Sequence, residues 1–419
     1  MTYIEICGGQ RLSGEIAVQG SKNAALPIIA AAVLHSGEIR IRHCPNIADV
    51  KSMTEIITAA GGKAFFEQDT LVLNTTNLQP FALRPQDAVK TRASVLFLGA
   101  LLGRFQETKL SYPGGCLIGE RPIDLHCMVM KQLGAELLSF PDAIYAKGNL
   151  RGSEITLPFP SVGATENALL AAVLAKGRTK ITGAAKEPEI LSLCTFLNKA
   201  GANIIMPVEG TFFVEGVRKL HDVEYILPAD RIVAGTYLAA AATTQGKVTV
   251  TGMEKGQLSG FLPVLAKTGV QIVSGEDFVT VEGTKRLLAV EQICTEPFPG
   301  FPTDMQSQML AILTCAHGNS RIIEALFEAR FLIVEQLRKM GACITLQERC
   351  ATVYGVEKLY GVAVQAKDLR GGAALVLAGL SAEGKTRVEG YSYIVRGYEN
   401  ICRDLAVLGA QIQLIEERE

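Results

Sequence analysis

The chain has 419 residues, 48% of them hydrophobic, and its 41 Lys+Arg against 42 Asp+Glu leave a formal charge of −1. That length exceeds what one ordinary core serves and predicts two domains. The balanced charge excludes a protein that holds nucleic acid by bulk attraction, though not a local basic pocket for an anion.

The opening residues, MTYIEICGGQ, lack the basic-then-apolar pattern of a secretory signal. The longest apolar run, 24–34, is interrupted by Pro27 and falls short of the ~20 residues a bilayer span needs. A soluble cytoplasmic protein without membrane insertion is expected. Gly20-Ser21-Lys22-Asn23 then precedes an Ala-rich helix. A lysine and an asparagine beside the free N–H groups of a helix start suit an oxyanion, and the lysine opposes the helix dipole unless an anion offsets it. An exposed N-terminal lysine is the bland alternative.

Further along stand Arg92, in Lys-Thr-Arg-Ala-Ser, and the run Tyr112-Pro113-Gly114-Gly115-Cys116-Leu117-Ile118-Gly119-Glu120-Arg121-Pro122. Three glycines and two prolines in that run predict a mobile surface loop. A cysteine there, with Arg121 nearby to stabilise a thiolate, is a candidate reactive thiol. The other cysteines form no CxxC pair among the ten present, so neither a zinc cage nor a disulfide framework is indicated. Cys194, Cys315, Cys343 and Cys402 lie among apolar neighbours and read as small core residues. Later in the chain, Phe301-Pro302-Thr303-Asp304-Met305 sets a carboxylate before a helix, where capping and catalysis are equally open readings. Arg370 and Arg396 recur near helix starts, where forked donors could meet a phosphate and a carboxylate.

One pattern spans all of this. A glycine between an amphipathic helix and an apolar strand recurs at Gly61, Gly134, Gly201, Gly269, Gly341 and Gly409, about one sixth of the chain apart. Glycine takes the left-handed conformation of a helix end at no steric cost. In the third copy the pattern predicts helix 164–175, strand 178–182, helix 187–199 and strand 203–207. The sixth predicts helix 373–380, strand 385–389, helix 398–408 and strand 411–415. Six α/β units, each a sheet with two helices behind it, group as two sets of three with helices inside and sheets outside. No GxGxxG or Walker sequence marks a doubly wound nucleotide fold. A cleft between the two sets is the expected ligand site.

Taken together, Lys22-Asn23, the Pro-Gly-Gly-Cys loop with Arg121-Pro122, Ser161-Val162-Gly163-Ala164-Thr165, Lys186-Glu187-Pro188-Glu189-Ile190, 301–306, Phe327-Glu328 with Arg330, and Asp368-Leu369-Arg370 closely resemble the UDP-N-acetylglucosamine enolpyruvyl transferases. The likeness runs essentially end to end. It implies two inside-out α/β prisms of three repeats each, 22–229 forming one and 1–21 with 230–419 the other. It also implies transfer of the enolpyruvyl group of phosphoenolpyruvate to the 3′-hydroxyl of UDP-N-acetylglucosamine, opening peptidoglycan synthesis, by a monomer without metal or organic cofactor.

By the same resemblance, Cys116 is the general acid, open to a covalent adduct and to fosfomycin, and Asp304 is the base on the sugar hydroxyl. Lys22, Arg121 and Arg396 hold phosphoenolpyruvate, supported by Arg92 and Arg370, while Asn23 binds the intermediate and the sugar. Arg121, Pro122, Ile123, Asp124 and Leu125, then Ser161, Val162 and Gly163, and Leu326 match nucleotide-sugar contacts. Glu328, Arg330 and Asp368 complete the substrate-binding set. Ala329 and Val395 stand where the family usually has asparagine and aspartate, Ala48 replaces a lysine of some members, and two glycines follow Arg370 where alanines are usual, which loosens that helix start. Two alternatives remain at this level: 5-enolpyruvylshikimate-3-phosphate synthase, which lacks the Pro-Gly-Gly-Cys loop, and a weakly active regulatory paralogue that binds the UDP-sugar.

Overall fold

Glycine sets the repeat. In the structure, a computed structural model describing residues 2–114, 119 and 122–417, the six turn glycines all take positive φ: 96° at Gly61, 92° at Gly134, 101° at Gly201, 89° at Gly269, 96° at Gly341 and 98° at Gly409. Only glycine enters that region freely, so each turn stops its helix and aims the chain into a strand.

Among the described residues six four-stranded sheets result. In the third repeat, strand Glu154–Thr156 leads through helix Val162–Ala172 to strand Arg178–Thr182, and helix Pro188–Lys199 then leads to the hairpin Asn203–Val208 and Thr211–Glu215. The two strands joined by a helix pair in parallel, and the hairpin adds antiparallel partners. A helical crossover returns the chain in the same direction, whereas a tight turn reverses it.

Two repeats take a leading strand from elsewhere in the sequence. Val223–Ile226 pairs in parallel with Glu38–Arg42, and Ser13–Ala17 pairs in parallel with Lys247–Thr251. The first strand, Thr2–Cys7, sits between Lys385–Glu389 and Gln411–Glu416. These pairings divide the described chain into two units, one of residues 20–114 and 122–228, the other including 2–19 and 229–417.

Within the first unit the inner helices are Lys22–Ala31, Phe97–Phe105 and Val162–Ala172; within the second they are Arg231–Thr243, Gln306–Leu313 and Leu369–Ser381. They are buried almost all round, which their alanine and glycine content allows. At Gly99 an added Cβ would lie 2.6 Å from the Asn167 carbonyl oxygen, so two of these helices meet backbone to backbone. Outer strands alternate instead: Thr179 and Ile181 face the core while Arg178 faces outward.

Three sequence expectations change. The helix expected over 398–408 is Ile401–Val407, because Asn400 caps it by accepting from Arg403 N at 2.9 Å. Tyr398 is instead buried between that helix and a short one, Tyr391–Ile394. Cys343 is not a core residue: it is exposed on strand Cys343–Gln347, whose inward position is Ile344. Period-two alternation puts it outward although both its neighbours are apolar. The glycines after Arg370 pack closely rather than loosen their helix: a Cβ at Gly372 would fall 2.7 Å from Ile394 Cγ1. Among the described residues no helix is long and apolar enough to cross a membrane.

Candidate active site

The chemically suggestive residues gather at the starts of the inner helices. In the first unit, Ser21 and Ser161 cap two of them through their hydroxyls, accepting from Ala24 N and Ala164 N. Lys22 opens the first helix, is buried, and is offset by a carboxylate of the protein itself, with Nζ 2.7 Å from Asp49 Oδ2. Asp49, also buried, comes from the first turn of helix Ala48–Ala59, where a negative charge also suits the helix dipole. Asn23 is half-buried, and its amide makes no hydrogen bond among the described residues. Helix starts carrying Lys22, Ser161, Val162 and Gly163 thus supply free N–H groups, a cation and an amide.

Arg92 begins a 3₁₀ turn, Arg92–Leu96, and its Nη2 lies 3.4 Å from the Pro122 carbonyl. Pro122 is exposed, Ile123 is buried, and Asp124 and Leu125 open helix Asp124–Gln132. A buried amide ties these segments together. Asn167 accepts from Gly99 N at 2.8 Å and donates from Nδ2 to the Val95 carbonyl at 3.0 Å. Its remaining amide hydrogen points at His126 Nδ1, 2.7 Å away, so that ring nitrogen accepts and the proton of the neutral imidazole sits on Nε2. The same ring packs beside Gly163, where an added Cβ would lie 3.0 Å from Cε1. Arg92, 122–125 and 161–163 are therefore drawn to one end of the unit. Cys116 and Arg121 lie outside the described residues.

In the second unit Asp304 is not a helix cap. The 3₁₀ turn Thr303–Met305 and helix Gln306–Leu313 take no side-chain cap from it. Instead Arg330 Nη2 donates to its Oδ1 at 2.6 Å and Arg370 Nη2 to its Oδ2 at 2.8 Å. Both guanidinium groups are buried, whereas the Asp304 side chain is 28% exposed. Burial works to raise the Asp304 carboxyl, but the charges of Arg370 and Arg330, with their hydrogen bonds, outweigh it and hold the group well below the usual carboxylate range. Conversely, burial works against the Arg370 charge and the Asp304 carboxylate more than restores it, raising that guanidinium above its ordinary value. Arg330 Nε and Arg370 Nη1, both buried, find no hydrogen-bond partner among the described residues.

Asp368 turns out to be a cap: its Oδ1 accepts from Arg370 N at 3.0 Å and from Gly371 N at 2.8 Å. It therefore acts by fixing the helix turn that carries Arg370. Asp230 caps Arg231–Thr243 in the same way, and its charge is felt at Arg370, so the three helix starts of this unit converge. Glu328 is exposed and accepts from Arg349 Nη2 at 2.7 Å, Leu326 is half-buried, and Arg396 is half-buried just after helix Tyr391–Ile394. Ala329 leaves Arg330 firmly on Asp304. Sequence reasoning missed Asp49, Asn167 and the buried Glu324, all of which act through partners distant in the chain. Among the described residues no three His, Cys, Asp or Glu side chains are grouped to hold a metal ion.

The family profile of EPSP synthase (3-phosphoshikimate 1-carboxyvinyltransferase) matches residues 6–405. Within that wider group, UDP-N-acetylglucosamine 1-carboxyvinyltransferase 2 of Caldanaerobacter subterraneus is 47% identical over 98% of this chain and 99% of its own. UDP-N-acetylglucosamine 1-carboxyvinyltransferase 1 of Carboxydothermus hydrogenoformans is 45% identical over 99% of this chain and 98% of its own. The chain belongs to the UDP-N-acetylglucosamine 1-carboxyvinyltransferase family. Among solved structures it is similar to the enolpyruvyl transferase NikO from Streptomyces tendae, with a TM-score of 0.88 and 25% identity over 99% of both chains. EPSP synthase from Acinetobacter baumannii has a TM-score of 0.76 at 16% identity over 99% of this chain and 100% of that one, a likeness of fold.

Proposed function

We propose that this chain transfers the enolpyruvyl group of phosphoenolpyruvate to the 3′-hydroxyl of UDP-N-acetylglucosamine, releasing phosphate. The reading is carried by identity of 45–47% along nearly the whole chain to proteins bearing that activity in their names. The geometry of Asp304, Arg330 and Arg370 supports it.

The chemistry is an addition followed by an elimination. The sugar oxygen bonds to C2 of the donor as its proton passes to Asp304, and the Cys116 thiol protonates C3, giving a tetrahedral intermediate. A proton then leaves C3, phosphate leaves C2, and the vinyl double bond re-forms. Lys22, Arg92, Arg121 and Arg396 serve the donor's phosphate and carboxylate. Asn23 serves the intermediate and sugar, while 121–125, 161–163, Leu326 and Glu328 serve the nucleotide sugar. Neither step needs a metal or organic cofactor. The chain carries a residue for every role, so a monomer suffices.

A carboxylate held by two guanidinium groups is a poor proton acceptor. An anion of the donor bound beside Arg370 and Arg330 competes with Asp304 for their positive charge and so raises its basicity. Donor binding thereby activates the base, and Asp304 stays ionised until it is needed.

The test is phosphate release from phosphoenolpyruvate with either UDP-N-acetylglucosamine or shikimate-3-phosphate. Release with the sugar nucleotide alone is expected. Release with shikimate-3-phosphate contradicts the acceptor assignment. No release with either, alongside tight UDP-sugar binding, contradicts the enzymatic reading in favour of a regulatory paralogue.

A further inference from the structure

Glu324 lies just beyond strand Asn319–Ile323, in Ile-Ile-Glu-Ala-Leu. It is fully buried. Desolvating a carboxylate is costly unless both oxygens are bonded, and here each is. Oε1 accepts from Thr295 Oγ1 at 2.8 Å, Leu326 N at 3.0 Å and Phe327 N at 3.2 Å. Oε2 accepts from Thr303 Oγ1 at 2.9 Å. The donors come from three separate stretches of chain. Thr295 follows strand Gln292–Cys294 and also accepts from Ala325 N at 2.9 Å, which closes the ring of contacts.

Two of those stretches carry the opposing members of one ion pair. Thr303 is the residue immediately before Asp304. Leu326 and Phe327 open the segment that ends in Arg330, whose guanidinium carbon stands 5.5 Å from the centroid of the Phe327 ring. One oxygen of Glu324 therefore anchors the backbone that presents Asp304, and the other anchors the backbone that presents Arg330. With both oxygens occupied and no exposed surface, Glu324 has nothing left to offer a substrate.

We infer that Glu324 is a positioning residue, which fixes the register of Asp304 against Arg330 by clamping Thr303 on one oxygen and the 326–327 backbone on the other. The inference rests on Asp304 acting on substrate as set out above. Proton transfer depends on ångström-level placement, so loosening one arm of the clamp lowers turnover more than it weakens substrate binding.

The experiment compares Thr303→Val, Thr303→Ser and Asp304→Asn in the full chain, by steady-state phosphate release and by thermal midpoint. Thr303→Val removes one hydrogen bond at a half-buried position and leaves Oε1 with all its donors, so the protein folds. The expected result is a kcat reduced about tenfold or more, with KM for the sugar nucleotide within about twofold of the parent. Thr303→Ser, which keeps the hydroxyl, restores most of the turnover. Wild-type kcat in Thr303→Val while Asp304→Asn is inactive overturns the positioning role and leaves the base assignment standing. A kcat lost in Thr303→Val and equally lost in Thr303→Ser also overturns it. Full turnover in Asp304→Asn overturns the base assignment and, with it, the purpose assigned to the clamp.

Discussion

Replacing Asp304 by Asn separates what that carboxylate does for the fold from what it does for chemistry. In the parent its single negative charge is shared by Arg330 and Arg370, whose side chains are only 4% and 5% exposed. The amide offers one acceptor and turns an NH₂ towards the second guanidinium, so the buried cations lose the carboxylate that bonds both of them. Breaking a buried pair from one side costs about 3–5 kcal/mol. The Asp304 side chain is 28% exposed, so solvent screening places the loss near the lower end, about 3 kcal/mol. For a unit of roughly 200 residues that corresponds to a drop of about 6–12 °C in Tm. The pH dependence has a definite sign. Because the folded carboxyl is held below its unfolded value, its contribution is fully present above about pH 4 and is lost as pH falls towards the depressed value. Differential scanning calorimetry of parent and variant should thus show a constant gap from about pH 8 to about pH 5, closing below about pH 4. Turnover should fall about 100- to 10,000-fold, the usual worth of general base catalysis. A variant that melts with the parent at pH 7 would refute the electrostatic argument, whatever its activity.

Fosfomycin should modify Cys116 alone, and mass mapping of the adduct checks this; comparable labelling of exposed Cys343 would contradict selective activation. A maleimide, by contrast, should react with Cys343 while Cys194 and Cys402 stay unmodified in the folded protein, since burial pushes both thiols up to about 12. Asp49→Ala should destabilise the first unit by about 3–5 kcal/mol in urea titration, because it removes the carboxylate that offsets the buried Lys22 ammonium. Gly372→Ala should cost about 1–3 kcal/mol by the same measurement, through the clash with Ile394.

The repeat was legible because one residue type carries it: left-handed backbone at six turns demands glycine, and the strands that follow alternate with period two. Strands 178–182 and 385–389 stand where that grammar puts them. Strand exchange was not legible, since Val223–Ile226 is matched to Glu38–Arg42 by tertiary packing and by no local signal. Cys343 misled for a related reason, because apolar neighbours on a strand point to the opposite face. In the site, Lys22 and Asp304 stood out by their places before helices, yet their partners did not. Arg330 and Arg370 lie 26 and 66 residues beyond Asp304, and a buried Glu324 differs from a surface glutamate only once its four donors are assembled. Charge at a helix start can be read from sequence; the counter-charge that sets its pKa belongs to the fold.

The most direct measurement is the fate of the sugar nucleotide itself. Purified protein is incubated with phosphoenolpyruvate and UDP-N-acetylglucosamine, and the nucleotide is analysed by mass spectrometry alongside released phosphate. The account predicts that UDP-N-acetylglucosamine gains one carboxyvinyl group for each phosphate set free. An unaltered sugar nucleotide, with or without phosphate release, would contradict it.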